Sequence, residues 1–154
     1  MGNEKVIKVL QQAQERELLA TIVYADQHYC LENLGLDALA KEMEDISIQE
    51  MKHHEAFAER ILFLDGSPSR KIAPGAKYEE KDVKAMLKID IALEEDAIKL
   101  YNEAIKICAQ ENDDGTRYLF SEILRQEEEH LDKFKKKLEM LERFGDLYLI
   151  QKCM

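Results

Sequence analysis

The stretches S-I-Q-E-M-K-H-H-E-A-F (47–57) and R-Q-E-E-E-H-L-D-K-F (125–134) each place a histidine three residues after a glutamate, as Glu50–His53 and Glu127–His130. Each pair breaks into an apolar stripe. Leu39, Met43, Ile46, Glu50, His53, Phe57 and Leu64 follow one 4-3 rhythm, and Phe120, Ile123, Glu127, His130, Phe134, Leu138 and Leu141 follow another. That rhythm is the period of one helix face, so both ionisable pairs point where a core should be. A fold for this chain must bury two Glu–His pairs and give them partners.

The partners are visible at a fixed spacing. Glu17 precedes Glu50 by 33 residues and Glu94 precedes Glu127 by 33, while Tyr24 and Tyr101 each lie seven residues after the earlier glutamate. The two halves therefore read as an internal duplication. Glu17 and Glu94 also sit on apolar stripes, with Leu10, Tyr24 and Leu31 around the first and Leu87, Ile91, Ile98 and Tyr101 around the second.

Helical periodicity predicts four long segments, about 3–33 after an Asn3 cap, 37–64 from an Asp37 cap, 82–111 and 114–144, with a short helix at about 146–152. Only two prolines and six glycines punctuate 154 residues, which suits long helices in one domain spanning 1–154. Short turns around N-L-G-L-D and N-D-D-G make each pair of segments an antiparallel hairpin. Residues 66–81 join the hairpins, reaching about 50 Å when extended, against about 40 Å for the second helix. The predicted fold class is therefore all-α, a four-helix bundle with one long crossover between helices two and three and a short C-terminal helix. The midpoints of 17–50 and 94–127 fall at or just before the two hairpin turns, so all four glutamates lie at similar heights in mid-bundle.

Four carboxylates buried together would desolvate beside like charges and need a positive counterpart. Four carboxylates with two imidazoles suit two divalent first-row metals, iron or manganese, better than magnesium, calcium or a thiolate-preferring ion. A net charge of −10 excludes nucleic acid and anionic membranes as main partners. Cys30, Cys108 and Cys153 form no paired motif and fit reduced structural thiols. The N-terminus lacks an apolar leader core and no run approaches membrane-spanning length, so the expected location is the cytoplasm.

With these residues in place, the chain resembles a bacterioferritin of the ferritin-like di-iron carboxylate family. The resemblance extends from K-V-I-K-V-L through E-R-I-L-F-L-D-G and I-A-L-E-E-D-A-I-K-L-Y-N-E-A-I to E-I-L-R-Q-E-E-E-H. His130 favours this branch over ordinary ferritins, and no four-cysteine iron domain of the rubrerythrin type is present. A DNA-binding mini-ferritin, whose ligands are shared between subunits, does not fit a six-ligand set within one bundle.

The resemblance implies that Glu50 and Glu127 bridge two irons, with Glu17 and His53 completing one site and Glu94 and His130 the other. It implies a ferroxidase that oxidises Fe(II) with dioxygen or hydrogen peroxide and stores ferric mineral in a 24-subunit homo-oligomeric shell built from twofold dimers. A ferredoxin-type reductant would release the iron. Two other readings stay open at this point, a peroxide-scavenging di-iron oxidase without mineral and a non-catalytic haem-binding bundle.

Met51 cannot face the same metals as Glu50, being about 100° round the helix. It lies on a second apolar stripe with Ile48, Ala58 and Leu62, matched by Leu18, Ile22, Ala25 and Tyr29 on the first helix. A second stripe implies a partner subunit. By the resemblance, Met51 from each of two subunits ligates one haem per pair. His54 turns away from the ligand face, and His28 reads as structural. Tyr24 and Tyr101 are placed to hydrogen-bond the carboxylates. Some bacterioferritins carry a His and an Asp on the inner surface that help iron into the cavity, and here those positions are Asp45 and Gln49.

Overall fold

The computed structural model describes residues 2–75 and 81–154. Four long helices dominate: α1 (Glu4–Asn33), α2 (Asp37–Phe63), α3 (Val83–Gln110) and α4 (Asp114–Phe144). A short α5 (Asp146–Tyr148) runs into a π-helical turn, Leu149–Cys153. Among the described residues the chain is all-α, as the periodicity predicts.

The helix ends follow from local chemistry. Asn3, Asp82 and Asp113 accept hydrogen bonds from the amides of Lys5, Lys84 and Thr116, satisfying donors that the first turns of α1, α3 and α4 cannot. The start of α2 differs from expectation. Its cap position is Leu36, with no side-chain bond, and Asp37 is instead the first helical residue, where its carboxylate favours the positive end of the helix dipole. Three helices end alike, with the amide two residues past the cap reaching back five residues: Leu36 to Leu31, Gly66 to Ile61 and Asp113 to Cys108. The residue between takes a left-handed conformation in each case, at Gly35, Asp65 and Asn112.

Side-chain register sets the helix directions. Tyr24 meets Glu94, Gln27 meets Asp90 and Glu17 meets Tyr101, so α1 and α3 run antiparallel. Because α1 and α2 form a hairpin, α2 and α3 are parallel and need the long connection. Its first part follows α1: Gln11 Nε2 donates to Ser67 O, Gln14 Oε1 accepts from Ser69 N, and Ala73 N donates to Glu15 O. Of the predicted 66–81 crossover, residues 76–80 lie outside the described residues.

The apolar core has two halves. One gathers Leu19, Val23, Leu31, Leu39, Met43, Ile46, Met86, Leu87 and Phe134 near the α1–α2 turn, with Cys153 of the terminal π-turn tucked against it. The other gathers Val6, Leu10, Ala13, Phe57, Ile61, Ala104, Cys108, Phe120 and Ile123. Between them lies a buried polar layer. Against the predicted stripe, Ile91 and Ile98 are only half-buried, and α3 turns Asp90, Leu93 and Ala97 inward instead. The reason is that α3 packs on both α1 and α4, which rotates and widens its buried face.

Phe120 anchors the second half, with ring centroids 5.1 Å from Phe57 and 5.6 Å from Tyr101. Phe120→Ala is expected to lower the unfolding free energy of the metal-free protein by about 3–5 kcal/mol, read from denaturant melts.

Candidate metal centre

Each wall of the polar layer comes from one helix. α1 supplies Glu17, α2 Glu50 and His53, α3 Glu94, and α4 Glu127 and His130, all buried. The structure thus brings together all six residues singled out by spacing. Their atoms form two overlapping groups, Glu17, Glu50, His53 and Glu127, and Glu50, Glu94, Glu127 and His130, with one donor atom from each member within 4.8 Å of the others. Glu50 and Glu127 belong to both.

A pseudo-twofold relates the groups. His53 Nδ1 lies 2.9 Å from Glu127 Oε1 and 3.6 Å from Glu17 Oε2. His130 Nδ1 lies 2.9 Å from Glu50 Oε1 and 3.5 Å from Glu94 Oε1. The imidazoles stack with centroids 6.5 Å apart. The tyrosines cross over rather than serving their own helices. Tyr24 donates to Glu94 Oε1 at 2.7 Å, and Tyr101 donates to Glu17 Oε1.

Electrostatics shows what the layer is short of. Burial first, then the Glu127 charge, raises Glu17, Glu50 and Glu94 above the usual carboxylate range. Burial acts in the same direction on Glu127, but hydrogen bonds from Glu94, His130 and His53 outweigh it and hold this carboxyl well below that range. Burial opposes charge on His53, yet its contacts with Glu127 and Glu17 win and push it up to about 10. Beyond the imidazole–carboxylate ion pairs, Glu17 Oε2, Glu50 Oε1, Glu94 Oε2, both oxygens of Glu127 and both Nδ1 atoms have no hydrogen-bond partner. So many orphaned acceptors converging in a dry interior fit a pair of cations and little else.

Among the described residues, depressions lie beside the layer on two sides. Between α1 and α3, a cavity of about 10 Å³ touches Glu17, Glu50, Glu94 and Glu127, and Arg16 separates it from an outer groove of about 460 Å³. Between α2 and α4 lies a groove of about 250 Å³ bearing Asp45, Gln49, Lys133 and Lys137. Asp45 pairs with Lys41 at 2.8 Å, and Gln49 is engaged by His130. Away from the layer, Met51 is 47% exposed on a stripe with exposed Ile22, Tyr29, Ile48 and Leu62. His54 is half-buried against Gln14, and His28 bonds the carbonyl of Ala40.

Spacing alone missed three polar side chains near the layer. Gln126 contacts His53. Gln27 donates to Asp90 at 2.7 Å, both side chains buried, and burial raises Asp90 well above its usual range. The repeated Gln-Glu dipeptide at 49–50 and 126–127 was the available signal for Gln126. Nothing comparable marks Gln27 and Asp90.

A family model described as "Ferritin-like domain" matches residues 7–144, and with the bundle and its buried carboxylate–histidine layer this defines the class as ferritin-like. Among curated proteins, the bacterioferritin of Desulfovibrio desulfuricans is 35% identical over 94% of this chain and 80% of its own length. That of Rhodobacter capsulatus is 34% identical over 94% and 89%. The 2.6 Å structure of R. capsulatus bacterioferritin, with a metal-free dinuclear site and haem iron in a crystallographic special position, superposes with a TM-score of 0.92 at 32% identity, covering 99% of this chain and 96% of that one. The chain belongs to the bacterioferritin family.

Metal binding must displace the protons held by His53 and by the raised carboxyls. Divalent metal affinity should therefore climb as pH rises, and loading at pH 7 should release at least the proton of His53. Calorimetry with Co(II) in buffers of different ionisation enthalpy measures the number released.

Proposed function

We propose that this chain is an iron-storage ferroxidase that binds Fe(II) in pairs through Glu17, Glu50, His53, Glu94, Glu127 and His130. The observation that carries the reading is the pair of ligand groups sharing Glu50 and Glu127 inside one bundle. Fe(II) is the substrate. Each Fe(II) yields one electron, so two neighbouring ions match the two-electron reduction of hydrogen peroxide to water, with two protons taken up. Dioxygen, reduced to peroxide, accepts the same pair.

The residues around the ions have separate tasks. Glu50 and Glu127 span both positions and can change their binding mode as metal charge rises. Tyr24 and Tyr101 bond the outer carboxylates, keeping Glu94 and Glu17 turned inward. Burial excludes water from the layer, which strengthens each of these interactions.

The product is held as ferric mineral inside a hollow shell of 24 copies built from twofold dimers, in the cytoplasm, with a ferredoxin-type donor reducing it for release. The exposed stripe around Met51 is the dimer face, and the Met51 thioethers of two copies would hold one haem there, which would supply a one-electron redox centre. The haem iron in a special position in the R. capsulatus relative supports this arrangement.

The test is stopped-flow oxidation of Fe(II) added to metal-free protein. A fast phase saturating at about two irons per chain, then slower uptake far beyond, is the expected result. Glu127→Ala with His130→Ala should abolish the fast phase while the metal-free protein keeps its fold, because taking buried ionisable groups out of a metal site often leaves an apo bundle stable. Fast oxidation without further uptake would favour a peroxide-consuming oxidase, and an unchanged fast phase in the double variant would refute the ligand assignment. Met51→Leu should remove the haem Soret band and leave iron oxidation intact.

A further inference from the structure

The far side of each imidazole is closed by an amide from the opposite helix. His53 Nε2 lies 2.7 Å from Gln126 Oε1, and His130 Nε2 lies 2.6 Å from Gln49 Oε1. A carbonyl oxygen only accepts, so each Nε2 carries a hydrogen and donates it. Nδ1 is then the nitrogen that faces the carboxylates and can offer its lone pair to a cation once its own proton has left. The reverse arrangement, with the amide nitrogen donating to Nε2, would place the hydrogen on Nδ1 and block it from any cation.

Three features set these amides apart from incidental surface contacts. They recur at equivalent places, each one residue before a shared glutamate, Gln49 before Glu50 and Gln126 before Glu127. They cross the bundle, so the helix carrying one histidine orients the other. And they are neutral. Four carboxylates contribute −4 and two divalent cations contribute +4, with neutral imidazoles adding nothing; carboxylates at 49 and 126 would add −2.

We propose that Gln49 and Gln126 are paired positioning residues for the metals, holding His130 and His53 as Nε2–H tautomers. Each amide serves the site whose histidine it bonds: Gln126 the site of Glu17 and His53, Gln49 the site of Glu94 and His130. Gln49 also faces the groove beside Asp45, so its amide stands between that groove and the layer. In this chain the residue at position 49 is therefore committed to a histidine. The inference deepens the dinuclear reading and rests on it.

The test is anaerobic titration of metal-free protein with Co(II), followed by its visible absorption, for wild type, Gln126→Met, Gln126→Glu and Gln49→Met. Wild type should take up two ions per chain. Gln126→Met should weaken one of the two by about tenfold to a hundredfold. Gln126→Glu, which accepts the same hydrogen bond, should restore that binding with an altered spectrum, because its charge makes the imidazole a stronger donor. In a His53→Ala background Gln126→Met should add no further loss, whereas Gln49→Met should.

Unchanged affinity in Gln126→Met would overturn the proposal. So would equal loss at both sites accompanied by a lower melting temperature of the metal-free protein, which marks a packing role only. Failure of the wild type to bind two Co(II) would instead sink the dinuclear reading itself.

Discussion

Four carboxylates and two imidazoles share a layer from which water is excluded, and the remainder of the bundle is organised around making that tolerable. Burial alone drives most of these carboxyls toward their neutral form, and Glu127 stays ionised because its neighbours donate to it. Such a layer cannot hold a protein together by itself. The apolar halves above and below do that, with Phe57, Tyr101 and Phe120 locked on one side and Leu31, Met43, Met86 and Phe134 on the other. The polar layer is thus a load carried by the core, and a pair of divalent cations would turn it into a favourable one.

The seams of the bundle are closed differently. On the α1–α3 side, tyrosines reach across to the carboxylates, and on the α2–α4 side, glutamines reach across to the histidines. Glu17, Glu94, His53 and His130 are each thereby bonded from a helix other than their own. This cross-bracing follows from the duplication, because two equivalent hairpins related by a pseudo-twofold must each supply the other's supports. The Met51 stripe lies outside this arrangement, on the surface formed by α1 and α2, so the exposed apolar stripe and the polar layer occupy different faces of α2.

Much of this was legible without coordinates. The all-α class and the parallel relation of α2 and α3 followed from periodicity and from the unequal connections. The convergence of Glu17, Glu50, His53, Glu94, Glu127 and His130 followed from equal spacing about two short turns. Errors arose where a residue's surroundings depend on more than one neighbouring helix. Ile91 and Ile98 are more apolar than Asp90, yet Asp90 is the buried one, turned toward α1, where Gln27 donates to one of its oxygens. Asp37 has the chemistry of a cap, but the tight turn through Gly35 starts the helix one residue earlier, with Leu36 at the cap.

What the sequence determined by itself is what depends on distance along the chain: which residues share a helix face, how long each helix runs and how high each glutamate sits above its turn. Helix geometry converts those directly into position. Only the tertiary structure decided which partner each side chain finds across a seam, that Tyr24 serves Glu94 rather than Glu17 and that Gln126 serves His53. Such pairings depend on how helices far apart in sequence rotate about their own axes when they pack, and that rotation is a property of all four helices together, written in no single stretch of the chain.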